Sequence, residues 1–208
     1  MSSVFESRHP MVRHKLALLR DVESGPKLFR ELVAELASLM AYEATADLRL
    51  REVVIATPMG QAACESLDER IALVPVLRAG LGLVDPVLRV IPEAQVWHIG
   101  LYRDETDLKP VQYYSKHSAD GQTTLCMLLD PMLATGGSAV AACDILKQWG
   151  VTRIKFLGLI AAPEGIAALQ AAHPDVDVHI AAIDDRLNDV GYIVPGLGDA
   201  GDRLFGTV

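Results

Sequence analysis

An apolar run ending in Leu128 and Leu129 gives way to the carboxylate of Asp130, and Pro131, Met132, Leu133, Ala134, Thr135, Gly136, Gly137 and Ser138 follow. Neither glycine favours a strand or a helix interior, so a turn that something approaches closely is expected. The amides at a helix start, with its dipole, form a ready anion site. Glycines there remove Cβ atoms from the path of a phosphate, and Thr135 and Ser138 add hydroxyl donors. A bare T-G-G-S also suits a plain capped turn, with Ser138 opening the helix. Asp130 at the strand exit favours the cradle, because a carboxylate there can accept hydrogen bonds from the hydroxyls of a ribose whose 5′-phosphate fills the turn. The absence of G-x-x-x-x-G-K-[ST] argues against a P-loop NTPase.

Two other segments carry chemistry. Val76-Leu77-Arg78-Ala79-Gly80-Leu81-Gly82 places an arginine at the end of an apolar run beside two glycines. A guanidinium forks onto oxyanions, and the glycines let backbone amides join it. A solvated surface arginine is the plainer alternative. The run from Gly191 to Arg203, GYIVPGLGDAGDR, contains a formal G-x-G-x-x-G at Gly196, Gly198 and Gly201. That fingerprint needs a strand before it, a helix after it and a further strand about twenty residues on. Residues 202–208 are too few to reach that strand, so the match is expected to be spurious. A loop presenting main-chain groups to a ligand suits the glycines better, and a tail packed for structural reasons is the alternative.

These segments need a frame. Residues 53–57, 71–77, 96–102, 124–129, 154–160 and 176–181 read as short strands, several of them almost wholly apolar, as in parallel sheets buried on both faces. Helical patterns at 86–90, 137–149 and 163–172 separate many of them, with Asp85 as a cap and Pro86 in the first turn. The alternation predicts an α/β fold: an open, mostly parallel sheet flanked by helices. Ser24-Gly25-Pro26 opens an earlier helix whose Leu28, Phe29, Leu32, Val33, Leu36, Leu39 and Met40 recur at helical spacing. This N-terminal helical segment either caps the core or packs on another subunit. Residues 103–117, RDETDLKPVQYYSKH, read as a long loop or hairpin arm. With no internal repeat and no linker, residues 1–208 are expected to form one domain.

Composition narrows the partners. Nineteen Lys and Arg stand against 27 Asp and Glu, a net charge of −8, which is unhelpful for holding a polyanion. No nucleic-acid partner is expected. Cys64, Cys126 and Cys143 have no C-x-x-C spacing and read as buried thiols in a reducing compartment, not metal ligands. The amino-terminal residues have no apolar signal region, and no stretch approaches a membrane span of roughly 20 apolar residues. A soluble cytoplasmic protein without membrane partners is the expectation.

Hydrophobic strand, acidic residue and T-G-G-S together resemble the phosphoribosyl pyrophosphate (PRPP) motif of type I phosphoribosyltransferases. Most of that superfamily carries two adjacent acids, whereas Asp130 is followed here by Pro131, a departure typical of the uracil branch. Pro131 cannot bind a hydroxyl, so Asp130 carries more of the ribose work. The run GYIVPGLGDAGDR, followed by Leu204-Phe205-Gly206-Thr207, is similar to the uracil-recognition segment of uracil phosphoribosyltransferases. So are YEATADL at 42–48, VPVLRAGLG at 74–82 and AAPEGIAAL at 161–169. The resemblance spans nearly the whole chain and is loosest around 53–69.

The resemblance implies transfer of a phosphoribosyl group from PRPP to N1 of uracil, giving UMP and pyrophosphate in pyrimidine salvage. Residues 134–138 would hold the 5′-phosphate, Asp130 the ribose hydroxyls, and Arg78 with Arg103 the pyrophosphate. The PRPP set would be Arg78, Arg103, residues 130–138 and Asp199. Mg²⁺ would arrive chelated by PRPP rather than in an all-protein cage. Ile193, Gly198, Asp199 and Ala200 would meet uracil, whose O2, N3–H and O4 present acceptor, donor and acceptor. Cytosine reverses two of these roles and strands polar groups at roughly 1–3 kcal/mol each, so it should be rejected. Arg78, Arg103, Asp130 and Asp199 form the expected catalytic set. Asp199 has three candidate roles: a water-mediated contact to Mg²⁺, a contact to PRPP, or removal of the uracil N1 proton. The family also implies a homodimer or homotetramer, with GTP as a candidate effector. An RNA-binding regulator on the same fold would need a basic face, which the scattered cations do not supply. A scaffold without catalysis would bind PRPP but release no pyrophosphate.

Overall fold

The computed structural model describes residues 3–103, 110–116 and 122–207. The first half of the chain forms β1 (Val4–Glu6), α1 (Pro10–Arg20), α2 (Pro26–Ala44), β2 (Leu50–Thr57), β3 (Gly60–Leu67), β4 (Ile71–Leu77), α3 (Leu81–Val90), β5 (Gln95–Val96) and β6 (His98–Arg103). The second half forms β7 (Pro110–Lys116), β8 (Leu125–Leu129), β9 (Met132–Leu133), α4 (Gly137–Gln148), β10 (Ile154–Ala161), α5 (Pro163–Ala172), β11 (Asp177–Ile183), β12 (Arg186–Leu187), β13 (Ile193–Val194) and α6 (Ala200–Phe205).

The main sheet runs β1-β11-β10-β8-β4-β6-β7, with β5 also on β4 and β9 on β10. Its pairings are parallel except at β6–β7, which closes one edge as an antiparallel hairpin. The open, mostly parallel sheet expected from the strand–helix alternation is therefore present. Residues 71–77 show why it was legible. Ile71 and Leu73 pack with α1, α2 and α3 on one face, while Ala72, Val74 and Val76 pack with α4 and α5 on the other. Side chains alternate across a strand, so a strand covered on both faces must be apolar throughout. α2 caps the core through Phe29, Leu32, Val33, Leu36 and Met40. Each such side chain contributes roughly 1.5–3 kcal/mol when fully buried. Leu28, expected on the same face, is exposed.

Several expectations change. The strand at 53–57 belongs to a separate two-stranded hairpin, β2–β3, and not to the main sheet. The stretch at 96–102 is divided between β5 and β6. The helix placed at 86–90 starts at Leu81, with Gly80 as its cap and Pro86 in its interior. Its start is wound through tight bonds from Leu81, Gly82 and Leu83 back to the carbonyls of Arg78, Ala79 and Gly80. Asp85 is therefore not the cap. β1 and α1 were not foreseen. The segment 103–117 supplies β7, which pairs with β6; residues 104–109 and 117, and hence the expected loop between them, lie outside the described residues. Cys126 and Cys143 are buried and free, whereas Cys64 on the hairpin is half-buried. Burial pushes the Cys126 and Cys143 thiols up to about 12, so neither is a thiolate nucleophile near neutral pH. No helix among the described residues is long and apolar enough to cross a membrane.

An ion network ties the start of β10 to the end of α2. Lys155, 1% exposed, pairs with Asp47 and donates to the Ala44 carbonyl at 2.7 Å. Arg153 bridges Asp47 at 2.9 Å and Glu69 at 2.6 Å. Burial alone would raise the Asp47 and Glu69 carboxyls. The bond and charge of Lys155 and the charge of Arg153 hold Asp47 below the usual range, and Arg153 and the Arg49 amide do the same for Glu69.

Candidate active site

Ligands of open α/β sheets gather at the carboxyl ends of the strands, and Asp130, Arg78 and Asp184 follow β8, β4 and β11 at that edge. The Asp130 amide donates to the Leu157 carbonyl at 3.2 Å, and its Oδ1 accepts from the Met132 amide at 3.3 Å. The carboxylate is thereby held at the strand exit. Gly158 in β10 makes room for this, since a Cβ there would lie 2.9 Å from the Asp130 carbonyl oxygen. The chain does not pass straight from Asp130 into a helix. Pro131 accepts from the Leu159 and Ile160 amides, and β9 pairs briefly with β10 before the turn.

The turn separates the roles of the two glycines. Gly136 is the N-cap of α4 and is left-handed, at φ +82°. A Cβ there would stand 2.8 Å from the Gly165 carbonyl oxygen and 2.9 Å from the Ala168 Cβ. Gly165 reciprocates: its Cβ would lie 2.3 Å from the Ala134 oxygen. The close neighbour that requires Gly136 is thus helix α5 of the same chain. A Cβ on Gly137 would meet only the Thr135 hydroxyl, at 3.7 Å, so this glycine opens beside a residue that lines the cleft. Gly136 has no side chain with which to cap α4, and the Thr135 hydroxyl is a long 3.5 Å from the Gly137 amide. A helix opened in this way presents its first-turn amides and positive dipole to an anion. Ser138 is the second residue of α4, not its cap.

Asp130, Met132, Leu133, Ala134, Thr135, Gly136, Ser138 and Asp199 line one cleft of about 320 Å³, within the range of small-ligand sites, roughly 300–1,000 Å³. Val190, Gly191 and Tyr192 line it as well. Val190 and Tyr192 were missed; the signal available was an aromatic residue beside the glycine that opens the GYIVPGLGDAGDR run. Asn188 shapes that corner by accepting from the Val190 amide at 3.1 Å and the Tyr192 amide at 2.9 Å.

Arg78 stands beside this cleft instead of in its lining. Gly80 lets its loop press onto the end of β8, since a Cβ there would lie 2.3 Å from the Leu129 oxygen. The guanidinium is largely exposed, 3.4 Å from Asp202, and comes within 3.8 Å of where a Gly201 Cβ would be. Asp199 caps α6 by accepting from the Asp202 amide at 2.9 Å. Arg78 and Asp199 therefore meet at the first turn of α6. Ile193 and Ala200 are buried in the core, and Gly198 is exposed at φ +79°, so any contact they make with a ligand goes through the main chain. Arg103 ends β6, its backbone paired with Pro110; its side chain lies outside what the structure describes.

Among the described residues, no group of three or more His, Cys, Asp or Glu is placed to hold a metal ion. Asp130 and Asp199 are carboxylates of the cleft lining. Such a donor set fits a hydrated Mg²⁺ carried by substrate phosphates, an ion that keeps several of its waters.

The uracil phosphoribosyltransferase family profile matches residues 6–207. A uracil phosphoribosyltransferase of Roseiflexus castenholzii is 63% identical over 207 residues, covering 100% of both chains. One from Geobacillus kaustophilus is 57% identical over 208 residues, again covering 100% of both. A solved structure of an Aquifex aeolicus protein superposes with a TM-score of 0.92 at 36% identity, covering 97% of each chain. A hypoxanthine-guanine phosphoribosyltransferase of Bacillus anthracis shares the fold at a TM-score of 0.51 and 14% identity, over 76% of this chain and 80% of that one. The chain belongs to the uracil phosphoribosyltransferase family.

Proposed function

We propose that this enzyme transfers the 5-phosphoribosyl group of PRPP to N1 of uracil, giving UMP and pyrophosphate in pyrimidine salvage. The observation that carries the reading is the meeting of Asp130, the 134–138 turn and Asp199 in one cleft at the carboxyl edge of the sheet. The α4 amides and the Thr135 and Ser138 hydroxyls hold the 5′-phosphate, with Pro131, Met132 and Leu133 shaping the approach. Asp130 takes the ribose hydroxyls. Arg78, beside its glycine loop, takes the pyrophosphate, joined by Arg103. Displacement at C1′ builds positive charge on the ribose, which the cleft carboxylates stabilise. When bound, Mg²⁺ neutralises charge on the departing pyrophosphate, and Asp130 and Asp199 are the groups that could reach its waters.

Main-chain groups of Ile193, Gly198, Asp199 and Ala200 read the uracil edge. Asp199 Oδ1 already accepts from the Asp202 amide, which favours a positioning role over proton removal. Exposed Val54, Ile55 and Met59 on the β2–β3 hairpin support self-association as a homodimer or homotetramer. GTP as an effector follows from the family resemblance, and a cytoplasmic location from the reading of the cysteines as thiols of a reducing compartment. Conversion of radiolabelled uracil to UMP with PRPP, with and without Mg²⁺, tests the reading. PRPP binding without pyrophosphate release would leave a non-catalytic scaffold in its place.

A further inference from the structure

The loop between β13 and α6 is gripped by three charged side chains outside the cleft. Arg20, the last residue of α1, forms a two-point ion pair with Asp184, which follows β11. One guanidinium nitrogen, Nη1, donates both to Asp184 Oδ2 and to the Gly196 carbonyl oxygen, each at 2.7 Å. Asp184 Oδ2 also accepts from the Gly196 amide, at 2.9 Å. Both polar groups of a single buried loop residue are therefore held by one ion pair. Gly196 is left-handed, at φ +66°, and a Cβ there would stand 2.1 Å from the Ile193 oxygen, so the turn is closed on itself as well.

Arg203, from α6, holds the next residue. Its Nη1 donates to the Leu197 and Leu19 carbonyls, both at 2.9 Å, and its Nη2 to the carbonyls of Asp21 and Ser24. The guanidinium lies 4.3 Å from the centre of the Phe29 ring, a cation–π arrangement.

We propose that Arg20, Asp184 and Arg203 are positioning residues for base recognition, locking Gly196 and Leu197 so that Gly198, Asp199 and Ala200 meet the uracil edge in fixed register. The proposal rests on the reading of that loop as the base site. A largely buried ion pair is a weak device for stability, because an apolar pair of similar volume often serves as well. It is a strong device for fixing direction, since a forked guanidinium and a carboxylate accept few geometries. Here both ends point at one residue of the loop, Gly196. Discrimination between uracil and cytosine depends on the placement of main-chain donors and acceptors to a fraction of an ångström.

The test is steady-state kinetics of Arg20→Ala, Arg20→Lys and, inside the loop, Gly198→Ala, with uracil and PRPP varied separately. Arg20→Ala is expected to raise KM for uracil by about ten- to a hundredfold, leave KM for PRPP within about twofold, and narrow the preference over cytosine. Arg20→Lys keeps the charge but loses the fork, so a smaller change in the same direction is expected. It supplies the reading if Arg20→Ala is unfolded at the assay temperature. A uracil KM unchanged by the Arg20 variants but raised by Gly198→Ala would overturn the clamp and leave the base site standing. A uracil KM that Gly198→Ala does not move either would remove the base-site reading and the clamp with it. Equal rises in both KM values would also overturn the proposal, since they signal general loosening.

Discussion

Substituting the two glycines of the T-G-G-S turn one at a time separates packing from chemistry. Gly136→Ala forces an L side chain into the left-handed region, at φ +82°, which costs roughly 1–2 kcal/mol. Its Cβ also enters contacts of 2.8 and 2.9 Å with Gly165 and Ala168, an overpacking worth about 1–3 kcal/mol. The expected destabilisation is therefore about 2–5 kcal/mol, against roughly 5–15 kcal/mol for a whole domain. At about 2–4 °C per kcal/mol for a chain of this size, Tm should fall by roughly 4–20 °C. Gly137→Ala adds a Cβ with nothing nearer than 3.7 Å, in a residue already helical. It should leave Tm unchanged or raise it, by up to about 1 kcal/mol of stability. That Cβ stands beside the first-turn amides, so KM for PRPP should rise by roughly tenfold or more. Urea denaturation and PRPP-dependent pyrophosphate release, measured on both variants, decide the matter. A Gly136→Ala protein as stable as the parent would refute the packing argument, and a normal PRPP KM in Gly137→Ala would refute the cradle.

Three further outcomes are expected. Asp130→Asn and Arg78→Ala should each cut turnover by at least about a hundredfold while far-UV circular dichroism stays unchanged; near-normal pyrophosphate release from both would remove their assignment. Cytosine should be rejected and 5-fluorouracil accepted, because the 5-position lies off the edge being read, and a competition assay against labelled uracil checks both. The third concerns acid. His179 is 6% exposed, stacks on Phe5 at 4.6 Å and has a buried ring nitrogen, Nε2, with no hydrogen-bond partner among the described residues. Burial, with help from the Lys155 charge, lowers it from the ordinary 6.5 to about 4. It stays neutral in the folded chain while the unfolded chain takes up a proton, so stability is lost as pH falls from 6.5 towards 4. At about 1.4 kcal/mol per pH unit the loss is roughly 3 kcal/mol. His179→Phe should flatten this window in pH-dependent denaturation. It should spare the further loss below the carboxylate range that follows as depressed Asp47 and Glu69 protonate.

What could be read from the chain alone depended on how local the cause was. β4, β8 and β10 declare themselves because burial on both faces leaves little but apolar residues. α5 declares itself through Pro163 at its first position. α1 opens on a proline too, Pro10, so the same signal stood there unread; its cap is His9, whose Nδ1 accepts from the Met11 amide, in place of the usual Ser, Thr, Asp or Asn. α3 hid its start behind glycines and misled through Pro86. In the site, Asp130 and the turn were legible because strand, acid and glycines are contiguous. Arg20 and Asp184 were not, because an ion pair spanning 164 positions leaves no periodic or spacing signal, and Arg203 was not, because carbonyls it holds lie 184 and 182 positions away. Lys155 was equally hidden: it lies in an apolar strand and its carboxylate is 108 positions away. The role of Gly136 was half legible. A left-handed turn could be guessed, but the helix pressed against it could not.

The distance along the chain between Arg20 and Gly196 also sets an order of assembly during synthesis. α1 leaves the ribosome long before its partner does, since the carbonyl that Arg20 holds at 2.7 Å is 176 residues behind it. Every strand of the main sheet precedes Gly196 in the chain, so the sheet can be complete in a nascent protein that still has no finished cleft. Closing so long a loop waits on its last contacts. A nascent chain that has emerged through β11 but not yet through Gly196 would therefore carry every strand of the main sheet with Arg20 still short of its Gly196 contact, and the cleft would be finished only once Asp199 had followed.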